Sequence, residues 1–326
     1  MAFTRALGYT SYINMAKNFW KDKKVVVTGG DGFLGKHLVA KIKAKNPESI
    51  FVPRFPEYDL RKYEDCLKVA KKGNVIIHLA ASVGGIGFNR KFPAMLFDDN
   101  ILMGTFMMMA GRAAKVKKYV ALGTICAYPK FTPVPFRESD LWNGYPEETN
   151  APYGLAKKMQ LVQALAYKQQ YGFNSIFLLP VNLYGPGDNF NPRSSHVIPA
   201  LIRKFVDAKR DNHKEVVVWG TGRPSREFLY VEDAAEALVL ATERYNKPDP
   251  VNLGAGFEIK IRDLARLIKK LSCFGGKIVW DKTKPDGQPR RMLDVSRAKK
   301  EFGFIAKTSF EKGLKETIDW YTQNFK

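Results

Sequence analysis

One short segment constrains the fold more than any other: Val27-Thr-Gly-Gly-Asp-Gly-Phe-Leu-Gly35. It follows a β-branched run, Val25 to Val27, and leads into a helical pattern over residues 35–45. Gly30, Gly32 and Gly35 satisfy G-x-G-x-x-G, and Gly29, Gly32 and Gly35 also satisfy G-x-x-G-x-x-G. A strand that turns this tightly into a helix needs glycine wherever two backbones meet. The N–H groups opening the helix then face outward and attract phosphate. The plainer reading is a simple β-to-α turn. The strand before and the helix after favour a pyrophosphate cradle, formed by Gly29, Gly30, Asp31, Gly32, Phe33, Leu34 and Gly35.

The same alternation continues. Short Val/Ile-rich runs at 50–52, 75–79, 119–122 and 175–179 are separated by helical patterns, notably at 94–115 and 153–171. Strands apolar on both faces with helices between them predict an α/β fold, a Rossmann-like doubly wound parallel sheet. Pro, Gly and Asn crowd residues 184–194, which reads as a long loop. Beyond it, helices at 196–208, 231–244 and 261–271 mix with short strands at 216–219 and 251–253, implying a smaller C-terminal α/β substrate lobe. The expected division is an N-terminal extension at 1–22, a cofactor domain at 23–183 and mainly a substrate lobe at 184–326. The chain can cross between lobes more than once, so the boundary is an approximation.

An acid at the end of the second strand would bind ribose hydroxyls. Arg54 stands there, which predicts a 2′-phosphate and hence NADP(H), with Asp59 nearby. Leu79, Ala80 and Ala81 put small residues where a dinucleotide crosses the sheet edge. The strand ends Leu122-Gly123 and Pro180-Val181-Asn182-Leu183 are assigned to the same ligand. Tyr153 and Lys157 lie four residues apart at a helix start, so they share one face. An ammonium beside a phenol is expected to lower the phenol's pKa towards neutrality. Thr124, just past the fourth strand, supplies a hydroxyl for the reacting oxygen.

Glycine loop, Thr124 and the Tyr153/Lys157 pair resemble the extended short-chain dehydrogenase/reductases. Longer segments resemble, more narrowly, the GDP-L-fucose synthase family. They are Val83-Gly-Gly-Ile86, Gly123-Thr-Ile-Cys-Ala-Tyr-Pro-Lys130, Asn182-Leu-Tyr-Gly-Pro186, Ser195-His-Val-Ile-Pro199, Val218-Trp-Gly-Thr-Gly222, Arg226-Glu-Phe228 and Lys284-Pro-Asp-Gly287. The resemblance implies NADPH-dependent C3/C5 epimerisation and C4 reduction of GDP-4-keto-6-deoxy-D-mannose. It assigns Cys126 as base, His196 as acid and cofactor neighbour, and Tyr153 as proton donor to the C4 oxygen. It assigns Val83, Gly84, Asn182, Lys204, Trp219, Arg226 and Lys284 to the GDP-linked 4-keto-6-deoxy sugar. A homodimer through the helices at 94–115 and 153–171 is implied as well. Taken singly, Cys126 reads as a core thiol and His196 as a helix cap; paired in two matching motifs, they read as catalytic. Ile125 stands where relatives carry a small polar residue, which implies a reshaped sugar pocket. A related keto-heptose or a reductase without epimerase activity stays open. A 4,6-dehydratase does not fit, since Ile125-Cys126 supplies no acid.

Lys and Arg total 53 against 32 Asp and Glu, a net charge of +21. The bases are spread along the chain, and no nucleic-acid module is visible. The charge therefore reads as solvated surface that also gathers an anionic substrate, with no nucleic-acid and no membrane partner expected. Three cysteines without C-x-x-C spacing point to a reducing compartment, the cytoplasm. The longest apolar stretch, residues 101–111, is too short to span a bilayer. Residues 1–20 carry Arg5 and Lys17 but no acid, and read as a flexible extension.

Overall fold

The computed structural model describes residues 19–284 and 286–325. The expected extension lies mostly outside the described residues. Its boundary shifts, because Trp20 is buried in the main core and its indole N–H donates to Glu243 at 2.6 Å.

The first part of the chain alternates as its pattern dictates: β1 (Lys24–Thr28), α1 (Phe33–Lys43), β2 (Ser49–Phe51), α2 (Tyr63–Ala70), β3 (Val75–His78), α3 (Ile86–Lys91), α4 (Pro93–Ala113), β4 (Lys118–Leu122), α5 (Ala151–Tyr171) and β5 (Ser175–Pro180). Two 3-10 turns, Ile125–Ala127 and Glu138–Trp142, lie between β4 and α5. The second part holds β6 (Asn182–Tyr184), α6 (Val197–Arg210), β7 (Glu215–Trp219), β8 (Ser225–Arg226), β9 (Phe228–Tyr230), α7 (Val231–Arg244), β10 (Val251–Leu253), β11 (Ile259–Lys260), α8 (Ile261–Leu271), β12 (Lys277–Asp281), α9 (Ser296–Phe302) and α10 (Phe310–Asn324).

Six strands form one parallel sheet in the order β10-β5-β4-β3-β1-β2. β3 and β5 are buried along their whole length, as a sheet covered on both faces requires. The chain leaves β1 towards β2 on one side and returns past it to β3 on the other. Right-handed crossovers then send helices to opposite faces. Accordingly α1 packs against α7, while α4 packs against α2 and α5. The direction reverses between β1 and β3, and ligands of such sheets bind beyond the carboxyl ends of strands at that reversal.

The strand at 251–253, read from sequence with the later stretch, is the sixth strand of this sheet. The chain therefore crosses from the first lobe to the second and back. A second hydrophobic cluster, built on Ile198, Ile202, Phe205, Leu264, Ile268 and Leu314, lies under α6, α8 and α10. Around it run three two-stranded pairs, β7 with β12, β8 with β11 and β6 with β9. The loop expected from residue 184 begins one residue later, because Tyr184 ends β6.

Candidate active site

The glycine loop is built by contact. Gly29 has φ +67, and a side chain there would put Cβ 2.9 Å from the Ala80 nitrogen. At Gly35, Cβ would lie 2.1 Å from the Gly29 oxygen. α1 is thus pressed onto the loop, and only glycine permits it. The Gly32 N–H donates to the Gly29 oxygen at 3.0 Å, and no side chain caps the helix. Its opening N–H groups are left for an anion, so the cradle fits a pyrophosphate. Beside it, the Thr28 hydroxyl accepts from the Ala80 N–H at 3.2 Å and fixes the edge at 79–81. Phe33 and Leu34 are half-buried behind the loop.

Arg54 does reach the cradle, but it is engaged: its Nε donates to Asp31 Oδ2 at 2.6 Å. That bond holds the Asp31 carboxyl below the usual carboxylate range. Asp59 is occupied by Arg61, which donates to both of its oxygens at 2.9 and 3.0 Å.

The predicted catalytic groups gather where β4 ends. Leu122 closes the strand, and the Gly123 N–H donates to the Leu178 oxygen at 2.7 Å. Thr124 caps the Ile125–Ala127 turn, its hydroxyl accepting from the Cys126 N–H at 3.2 Å. α5 starts against this turn. A Cβ on Gly154 would lie 2.3 Å from the Cys126 carbonyl oxygen, so glycine is what lets the helix approach. Tyr153 is carried in beside Thr124 and Cys126.

The phenol behaves otherwise than its spacing to Lys157 predicts. Burial pushes Tyr153 well above the ordinary tyrosine range, and charge on Cys126 adds to this against the Thr124 hydroxyl. Lys157 is only 2% exposed, and burial pulls it down to about 8. Desolvation dominates both groups. Tyr153 therefore stays a protonated phenol, a hydrogen-bond donor.

One group that the sequence did not single out, Arg291, faces this wall beside the predicted Arg226. Arg291 donates to the Cys126 sulfur at 3.6 Å through Nη1 and to Gln288 Oε1 at 2.6 Å through Nε. Half-buried Arg226 is lowered to about 10, first by burial and then by the charge of Arg291. Asp286 lies close enough to Arg226 to oppose that shift, and accepts from the Thr221 N–H and hydroxyl at 2.7 and 2.6 Å. No local signal marks Arg291 as a partner of Cys126, because the pair is 165 residues apart.

The predicted substrate residues fall into two groups. Trp219 is 64% exposed, and the Lys204 and Lys284 ammonium groups each lie 5.6 Å from its ring centroid. Lys204 also donates to the Val217 oxygen at 2.8 Å. This is an open aromatic shelf with two cations at its edge, suited to a nucleotide. Asn182, just beyond buried Pro180 and Val181 and followed by half-buried Leu183, donates to the Glu227 oxygen at 3.2 Å.

His196 caps α6 in extended conformation. Desolvation by the protein around it lowers its imidazole below the ordinary histidine range. No hydrogen bond among the described residues joins it to Cys126 or Tyr153. Its neighbours are tied to the loop of exposed Val83 and half-buried Gly84: the Gly85 N–H donates to the Ser194 oxygen at 3.1 Å.

The NAD dependent epimerase/dehydratase family matches residues 25–254 of this chain. The chain belongs to that family. A probable GDP-L-fucose synthase 1 of Oryza sativa subsp. japonica is 41% identical over 312 residues, 94% of this chain and 95% of that protein. A GDP-L-fucose synthase of Escherichia coli (strain K12) is 35% identical over 314 residues, 93% of this chain and 97% of the other. The crystal structure of a GDP-L-fucose synthetase from Naegleria fowleri bound to NADP aligns with a TM-score of 0.84 at 31% identity. It covers 92% of this chain and 93% of that one.

Within the epimerase/dehydratase fold, one expectation is corrected. Ile125 does not reshape the sugar pocket, since its side chain is 3% exposed and packs into the main core. The 3-10 turn points residue 125 inward and leaves Thr124 and Cys126 at the wall.

Proposed function

We propose that this chain is an NADP(H)-dependent enzyme that converts GDP-4-keto-6-deoxy-D-mannose to GDP-L-fucose, by epimerisation at C3 and C5 and reduction at C4. The observation that carries the reading is the Gly154 contact, which sets a thiol, a phenol and a strand-end hydroxyl on one wall. Relatives with that printed name over nearly the whole chain support it.

The loop Gly29–Gly35 would hold the cofactor pyrophosphate and Arg54 its 2′-phosphate. Leu79–Ala81, Leu122-Gly123, Pro180–Leu183, Tyr153, Lys157 and His196 would border the remainder. Bound NADPH supplies the hydride that reduces C4. The 4-keto group acidifies the protons at C3 and C5. Cys126 as thiolate takes such a proton, and His196 returns one on the opposite face. Tyr153 hydrogen-bonds the C4 oxygen while negative charge collects there, then gives up its proton during reduction. Trp219, Lys204, Arg226 and Lys284 hold the GDP.

The test is product NMR after incubation with GDP-4-keto-6-deoxy-D-mannose and NADPH in heavy water. GDP-L-fucose carrying deuterium at C3 and C5 is the expected product. A C4-reduced product without deuterium refutes the epimerase half and removes the roles of Cys126 and His196. Cys126→Ser is expected to abolish the deuterium uptake.

We further propose a homodimer. Met95 and Leu102 on α4, with Val162, Leu165 and Tyr171 on α5, expose apolar surface on the two helices expected to pair. Sedimentation equilibrium tests it, and a monomer at micromolar concentration overturns it. No helix among the described residues is long and apolar enough to cross a membrane. The three free thiols suit a cytoplasmic setting.

A further inference from the structure

We propose that Arg291 is the positioning cation for Cys126, holding its sulfur as a thiolate aimed into the site. This rests on the reading of Cys126 as the base.

The argument begins with an arginine that is only 9% exposed. A buried guanidinium is costly unless an anion and hydrogen-bond acceptors meet it. Among the described residues, no carboxylate forms an ion pair with Arg291. Its side-chain donors go to the Gln288 amide oxygen and to the Cys126 sulfur. With a protonated thiol both partners are neutral, and the buried charge lacks an anion. A thiolate supplies it, and charge-assisted hydrogen bonds are the strong ones.

The guanidinium is also fixed in place. The Ser225 N–H donates to the Pro289 oxygen at 2.9 Å, and the Glu227 N–H donates to the Arg291 oxygen at 3.0 Å. The buried Glu227 carboxylate accepts from the Leu293 N–H at 2.6 Å. Gln288, which orients the guanidinium, is itself anchored by donating to the Lys130 oxygen at 2.6 Å. A side chain held this way cannot swing out to find another anion.

The groups acting on Cys126 are Arg291 by contact, Arg226 by charge and Tyr153 across the wall, with Asp286 and Glu147 acting on Arg226 behind them. Two cations therefore converge on one sulfur. Negative charge on Cys126 makes Tyr153 hold its proton more tightly.

The experiment measures alkylation of Cys126 by iodoacetamide against pH, by mass spectrometry on ligand-free protein. Exposed Cys273 is replaced by Ser; Cys66 is buried and donates to the Leu60 oxygen at 3.1 Å. Arg291→Met is expected to slow alkylation at neutral pH by roughly tenfold, the loss of one hydrogen bond to a charged group, and to move the profile to higher pH. Arg291→Lys restores most of the rate. An unchanged profile in Arg291→Met overturns the proposal. Should that variant not fold, Gln288→Ala, which frees the guanidinium, is expected to slow alkylation roughly threefold, and an unchanged rate again overturns it. The base assignment fails separately: a Cys126→Ser enzyme that still exchanges deuterium at C3 and C5 removes that role, whatever the alkylation shows.

Discussion

Replacing Gly154 by Ala tests whether the approach of α5 to the Ile125–Ala127 turn makes the site. The added Cβ would lie 2.3 Å from the Cys126 oxygen, 2.9 Å from its carbonyl carbon and 3.2 Å from the Ala127 nitrogen. Ordinary contacts begin near 3.4 Å, so the helix must retreat by roughly 1 Å. The turn cannot yield instead, because Ile125 and Ala127 are buried in the main core. Overpacking of this kind costs about 1–3 kcal/mol, and the better helix propensity of alanine offsets up to about 1 kcal/mol. The protein should therefore fold, with a Tm lowered by a few degrees. Activity should suffer far more. A misplacement of about 1 Å in reacting groups costs on the order of 100-fold in kcat. The KM for NADPH should change less than kcat, since the glycine loop is untouched and only Tyr153 and Lys157 would border the cofactor from α5. The assay is the initial rate of NADPH oxidation with the keto sugar, beside Gly275→Ala, whose Cβ meets nothing within 4 Å. A Gly154→Ala enzyme with kcat within about threefold of the parent refutes the reasoning.

Burial lowers Lys157 from 10.5 to about 8, so between those values the unfolded chain holds a proton that the folded one has lost. Stability at this residue therefore rises with pH across that window, and below it the buried cation destabilises in full. Lys157→Met should abolish turnover yet raise the stability of the ligand-free protein near neutral pH by up to roughly 3 kcal/mol, an advantage that shrinks in alkaline denaturant titrations; a less stable variant refutes it. Asp31→Asn frees Arg54 from its partner and should lower the KM for NADPH roughly two- to fivefold at unchanged kcat; an unchanged KM means that Arg54 does not meet the 2′-phosphate. Trp219→Ala removes the shelf between Lys204 and Lys284 and should raise the KM for the GDP sugar at least roughly tenfold with little effect on NADPH; equal effects on both ligands refute the division of the site.

The sheet was readable because its strands are buried on both faces and announce themselves as Val and Ile runs. Val25 to Val27 and residues 75–79 fall on β1 and β3, and the helices at 231–244 and 261–271 match α7 and α8. The helix Phe310–Asn324 was not anticipated, nor was the pairing of β7 with β12, since short strands of a small lobe carry little periodicity. In the site, the nearness of Tyr153 to Lys157 was legible from their spacing along α5. The state of Tyr153 was not, because spacing reports who is near and says nothing of how dry the surroundings are. Arg291 escaped entirely, since its nearness to Cys126 is made by the fold.

The returning strand β10 has a further bearing. It lies beside β5, with Val251 opposite Leu178 and Leu253 opposite Pro180, at the edge of a sheet begun at residue 24. The two halves of the molecule are thus interleaved rather than concatenated. A single genetic crossover near residue 184 would take the outer strand away with the second half of the chain. A chimera with a relative needs at least two junctions to keep the sheet whole. Enzymes wired in this manner are better retargeted through substitutions in the loops around Trp219 and Arg226 than through exchange of halves.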